Sequence, residues 1–200
     1  MKHTILFFTA IFFVSVVFAQ TDFKGEVATA RTSYASGKLE DTHFALQQAL
    51  GDLDIIIGKE VLKLLPTQLD VLNANTASDN VTANVGFIGA TIHRDYGNTP
   101  EKKAEIEIIS NSPMIGTLNA FLNTPILGGM MRDENNKTVK VQGYKARLER
   151  TDAGNGKYNY KLDIPFSSSL LTLNVDNSTE AETLAMANKI PLQDVAKLIQ

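Results

Sequence analysis

The sequence predicts an α+β fold: an N-terminal helical hairpin, then an antiparallel sheet of about five strands covered on one face by helices. Three observations carry this. Apolar residues recur at helical spacing up to Leu65, then change to a period of two from residue 81 to Val175, and helix signals return after Thr179. Strand-like segments follow in meander with the helices grouped mainly at the ends, which favours antiparallel pairing.

The first residues direct the chain out of the cytoplasm. Met1-Lys2-His3 is a short basic start, residues 5–18 are an uncharged apolar run, and Val17 and Ala19 place small residues before Gln20. This is the pattern of a signal peptide spanning residues 1–19, with periplasmic or secreted localisation as the expectation. The run is shorter than the ~20 residues that span a bilayer, so no membrane span is expected after cleavage. Removing residues 1–19 from the 200 leaves 181, enough for a domain with its own core. Without Lys2 the 19 basic residues become 18 against 22 acidic, a net charge of −4, so nucleic acid is not an expected partner. The absence of cysteine excludes disulfides, zinc-thiolate sites and thiol catalysis.

Residues 20–72 read as the hairpin. Phe23, Val27, Ala30 and Tyr34 follow the helical period, and Gly37 stands where a left-handed residue ends a helix. The second helix runs from Leu39 to about Leu65, with the stripe Leu39, Leu46, Leu50, Leu53, Ile57, Val61 and Leu64, before Pro66 stops it. His43 fills the one gap in that stripe, where a core or boundary role is expected. Gly51 and Gly58 share a face that a neighbouring backbone could approach. "YASGKLEDTHFALQQAL" resembles one tetratricopeptide unit, with Gly37 at the turn and Ala49-Leu50 as the small-then-large pair. No further copies follow, so the resemblance implies a hairpin that packs on another element or carries a partner-binding groove.

"NANTASDN" (73–80) reads as a linker by composition, and residues 81–200 as the sheet domain. The expected strands cover 81–93, with a register reset at Gly86 and Gly89; Ala104 to Ile108; Val139 to Leu148, with a bulge at Gly143; Tyr158 to Phe166; and Leu171 to Val175. Asn155-Gly156 is a hairpin corner, and "FSSSLL" (166–171) reads as another. Thr179 and Glu182 form a capping box for a helix through Asn188, and a last helix from Pro191 buries Leu192, Val195, Leu198 and Ile199.

No catalytic set is complete. His93-Arg94-Asp95 lacks every other part of a kinase catalytic loop and reads as a strand end leading into a Tyr96-Gly97 turn. His43 and His93 have no partner at helical ligand spacing, so no metal is expected. Serines 167–169 lack a nucleophile elbow. Glu105 and Glu107 lie on one strand face, which reads as solvated, since no tryptophan offers a sugar platform. The expectation is therefore no enzyme and no cofactor.

The segment "ISNSPMIGTLNAFLNTPILGGMM" (109–131) is the most apolar stretch after the leader. Ser112 can cap a helix with Pro113 at its first position. Met114, Ile115, Leu118, Phe121 and Leu122 share a face, and Pro125 ends it, so an amphipathic helix docked on the sheet is expected. No Lys or Arg occurs between Asn111 and Met131, which argues against a membrane-surface helix. Ile126 to Met131 makes a compliant apolar surface. Met114, Leu118, Phe121, Leu127, Met130 and Met131 are the candidate ligand or partner contacts.

The terminal run "YNYKLDIPFSSSLLTLNVDNSTEAETLAMANKIPLQDVAKLIQ" resembles small exported bacterial α+β domains of the PsbP/Mog1-like kind. The leader ending in Phe-Ala-Gln is similar to signals of Bacteroidetes exported proteins. These resemblances carry no catalytic motif. They imply a non-enzymatic binding or interaction protein of the bacterial cell envelope, the alternative being a carrier of an apolar small molecule or lipid held between sheet and helix.

Overall fold

The computed structural model describes residues 22–83, 89–99, 102–123, 134–154 and 156–199. The chain is α+β, with a helical N-terminal region and an antiparallel sheet. Helices α1 (Phe23–Ala35) and α2 (Leu39–Leu64) form the hairpin. Asp22 caps α1 by accepting from the Gly25 amide, and its own amide donates to Asp52 Oδ2 at 2.8 Å, tying the start of α1 to α2. Gly37 at φ +71° closes α1: the Lys38 amide donates to Ser33 O and the Gly37 amide to Tyr34 O, as a Schellman turn requires. Beyond α2, Leu65 turns to extended backbone before Pro66.

The sheet has eight strands rather than about five. They are β1 (Gln68–Leu69), β2 (Leu72–Ala83), β3 (Ala90–Thr99), β4 (Lys102–Ile109), β5 (Asn136–Val141), β6 (Tyr144–Gly154), β7 (Lys157–Phe166) and β8 (Ser169–Ser178). Their order is β1-β2-β3-β4-β8-β7-β6-β5, curled into a half-barrel, with β4 and β8 bringing the two meanders together. The expected count was low because two turns were read as bulges and because the two-residue β1 lies in a stretch assigned to the hairpin region. Val141 pairs with Tyr144, so Gln142 and Gly143, at φ +49° and +90°, make a two-residue hairpin and divide one expected strand into two. Val81 to Ala83 pairs with Ala90 to Ile92, so the expected register reset in 81–93 is a reversal of the chain; Gly86 lies outside the described residues. Residues 73–80, expected as a linker, belong to β2, whose irregular register falls between Asn75 and Asn80. His93-Arg94-Asp95 lies inside β3, which runs on through Tyr96 to Thr99 without the expected turn.

The main core lies on one sheet face. Ile92, Tyr96, Ile106, Ile108, Leu148, Leu162, Ile164, Leu171, Leu173 and Val175 are buried there with Val61, Leu62 and Leu65 of α2. Helices α4 (Glu180–Ala187) and α5 (Leu192–Leu198) add Met186, Ala187, Leu192, Val195 and Ala196. The Thr179–Glu182 capping box is present. Leu198, expected in the core, is exposed, and Ala196 takes that place. Gly58 permits close approach: a Cβ there would meet Val81 Cγ1 at 2.4 Å. Gly58→Ala should therefore destabilise by about 1–3 kcal/mol despite alanine's better helix propensity, read as a lower urea midpoint. A gain in stability would show that Val81 yields freely.

Tyr96 is wholly buried and donates to Pro66 O at 2.9 Å. Burial pushes its hydroxyl up to about 12 from 10.0. Below the unfolded value both states hold the proton, so this stability is complete at neutral pH. It is lost as the unfolded chain ionises first, between 10.0 and about 12. Tyr96→Phe should lose about 1 kcal/mol at neutral pH, and its deficit should vanish on titration through that alkaline window. A deficit constant with pH would contradict the assignment.

Candidate functional site

Two surfaces concentrate side chains that the fold does not use. The first is on the hairpin. Helices α1 and α2 meet through small residues, with Ala30 on α1 and Ala45 and Ala49 on α2 all buried. The leucine stripe therefore turns away from α1. Leu39 is 66% exposed, Leu46 49% and Leu50 62%, with His43 and Leu53 also exposed between and beyond them. Further along the helix Ile57 is half-buried and Val61 buried, where α2 reaches the sheet. The stripe was legible in the sequence, but its first half is open, and His43 is an exposed residue where a core or boundary one was expected.

Leu39, His43, Leu46, Leu50, Leu53 and Ile57 step by four, three, four, three and four, the a/d seam of a coiled coil. Leu39 to Leu53 spans about 21 Å, close to four helical turns. On one flank stand Glu40, Gln47 and Asp54. From Leu39 to Gly58, α2 carries Glu40, Asp41, Asp52 and Asp54 and no Lys or Arg. Partial burial raises Asp54 above the ordinary carboxylate value.

The second surface is the sheet face opposite the core. Strand alternation lines up His93, Glu107, Thr172, Asp163, Arg147 and Thr138 as one row across β3, β4, β8, β7, β6 and β5. The adjacent row is Asp95, Glu105, Asn174, Lys161, Glu149 and Asn136. Asp163 is buried: it accepts from Arg147 Nη2 at 2.8 Å and from Thr172 Oγ1 at 2.9 Å, with Lys161 Nζ 3.8 Å away. Next to this network is a shallow polar groove lined by Glu105, Glu149, Thr151, Asn159, Lys161, Asn174 and Asp176.

At the edge of that groove His93 Nδ1 lies 3.2 Å from Glu105 Oε1, and Nε2 lies 3.3 Å from Asp95 Oδ2. His93, Glu105 and Glu107 each offer one ligand atom, all within 4.8 Å of one another. Helical ligand spacing does not contain this grouping, because β3–β4 pairing brings the residues together. One signal was available: two period-two segments follow each other closely, so residues of the two, such as His93 and Glu107, can stand opposite each other.

No protein-family model, curated protein or solved structure matches the chain.

The remaining sequence-derived contacts divide. Helix α3 (Ile115–Asn123) docks on the sheet, but on the polar face and not with the other helices. Leu118 and Leu122 are buried against Leu170, which points away from its core neighbour Leu171. Lys145 Nζ donates to Asn123 Oδ1 at 3.1 Å and fastens the end of α3. Met114 is exposed, Leu118 buried and Phe121 half-buried against the same small cluster. Leu127, Met130 and Met131, with the rest of the Ile126 to Met131 segment, lie outside the described residues. Among the described residues no helix is long and apolar enough to cross a membrane.

Proposed function

We propose that this is an exported, non-enzymatic binding protein of the bacterial cell envelope, and that the α1–α2 hairpin is its contact surface. The supporting observation is the open half of the α2 stripe, an apolar seam at heptad spacing on a helix whose inner face is already satisfied by α1. Soluble proteins seldom leave such a seam uncovered unless something docks on it. The occupant we propose is an amphipathic helix of another protein, laid along Leu39 to Leu53 as a helix in a groove. Its flank would be basic, to complement Glu40 and Asp54. Asp54, already partly desolvated and with no ion-pair partner among the described residues, gains most from such a cation.

The carrier alternative has less support. The interface between α3 and the sheet is occupied by Leu118 and Leu122 packed on Leu170, which is how a structural helix is held.

The test is a photo-crosslinking residue at position 46 or 50 in the native envelope, with the adduct sequenced. The proposal expects a segment with apolar residues at heptad spacing and lysine or arginine beside them. Adducts only to a second copy of this chain, only to lipid, or none at all would each count against it.

A further inference from the structure

We infer that His93, Glu105 and Glu107 form a binding site for a first-row divalent cation of the zinc class on the polar face of the sheet. The inference concerns a different surface from the hairpin and does not depend on it. Among the described residues no Lys or Arg pairs with Asp95, Glu105 or Glu107. Across the groove Lys161 has its ion contact with Asp163, and Lys103, on the same strand face as Glu105, is exposed. Three carboxylates therefore gather around one imidazole, with Asn80, Thr172 and Asn174 as their uncharged neighbours on β2 and β8.

The imidazole is placed to serve as one of three ligands. A neutral ring has one N–H, which can serve one of the two carboxylates it faces, leaving a lone pair directed at the other. With the proton on Nε2 toward Asp95, the Nδ1 lone pair faces Glu105. That contact becomes favourable when either a second ring proton or a metal ion occupies Nδ1. Asp95 then has the role of the outer carboxylate that orients a metal-bound histidine.

The geometry fits. Two ligands at zinc bond lengths of about 2.0 Å in a tetrahedron are about 3.3 Å apart. The Nδ1 to Oε1 separation is 3.2 Å, and Glu107 stands opposite His93 in the strand pairing. One nitrogen and two oxygens favour zinc-class ions over calcium or magnesium, which prefer oxygen alone. All three ligands stand on adjacent strands of one sheet, which holds them more firmly than a loop would. Three protein ligands leave one position open toward the groove that Glu105 lines, for water or for a group from outside.

The experiment uses untagged mature protein stripped with chelator and titrated with Zn²⁺ by calorimetry. Wild type should bind one equivalent, and His93→Asn and Glu107→Gln should each weaken binding by about tenfold or more. Asp95→Asn should weaken it less while keeping the stoichiometry. Thermal unfolding provides a second readout that also reports whether each variant folds: zinc should raise the Tm of wild type and leave those of His93→Asn and Glu107→Gln unmoved. Absence of saturable binding below about 1 mM, or equal affinity in wild type and both ligand variants, would overturn the site.

Discussion

Asp79→Ala should lower the stability of the folded chain by about 3–5 kcal/mol, the largest single-residue loss expected outside the apolar core. Arg94 is buried, and its guanidinium donates to both carboxylate oxygens of Asp79 and, through Nη1, to Leu65 O at 3.2 Å. One side chain thus joins β3, β2 and the end of α2. Removing Asp79 leaves a guanidinium enclosed without its counter-charge, and that desolvation is the cost. Asp79→Asn keeps an acceptor and should lose less. Replacing both residues with leucine should recover most of the loss, since the penalty belongs to the orphaned charge rather than to the absent pair. Urea midpoints at constant m measure all of these. A loss under about 1 kcal/mol for Asp79→Ala would show the pair to be as weak as a solvated one.

The second large effect is on binding. Leu46→Glu with Leu50→Glu should reduce affinity for the proposed helical partner by a hundredfold or more, about 3 kcal/mol, because both leucines lie at the centre of the seam. Stability should hardly change, because these positions are exposed and the α1–α2 contact is made by Ala30, Ala45 and Ala49. The added charges also extend an acidic surface, so residual binding to a basic-flanked helix should fall more steeply with salt. A variant that loses binding and unfolds together would place the stripe in the core instead.

Much of the fold was legible because its signals are local. Gly37, the Thr179–Glu182 capping box and the alternation from Tyr160 to Phe166 each depend on residues close in sequence. The missed strands share a different cause. Asp79 looks like linker chemistry next to Ser78 and Asn80, yet its polarity serves Arg94, far along the chain. Gly143 is compatible with a bulge or a hairpin, and only the partner of Val141 decides between them. The polar face was recognised as a face, but not as a grouping: period-two alternation shows that Glu105 and Glu107 point the same way, while register across β3 and β4 puts His93 among them. For the hairpin, periodicity identified the stripe without showing which half the sheet would cover.

The account turns on the α2 seam being open in the mature protein and covered by a partner. Amide hydrogen exchange across residues 39–57, with and without the crosslinked partner's helix supplied as a synthetic peptide, reads this directly. The account predicts slowed exchange in the seam on adding the peptide, with β4, β7 and β8 unchanged and the slowing lost in the Leu46→Glu, Leu50→Glu variant. Protection that is unchanged by the peptide, or that appears instead around α3, would contradict it.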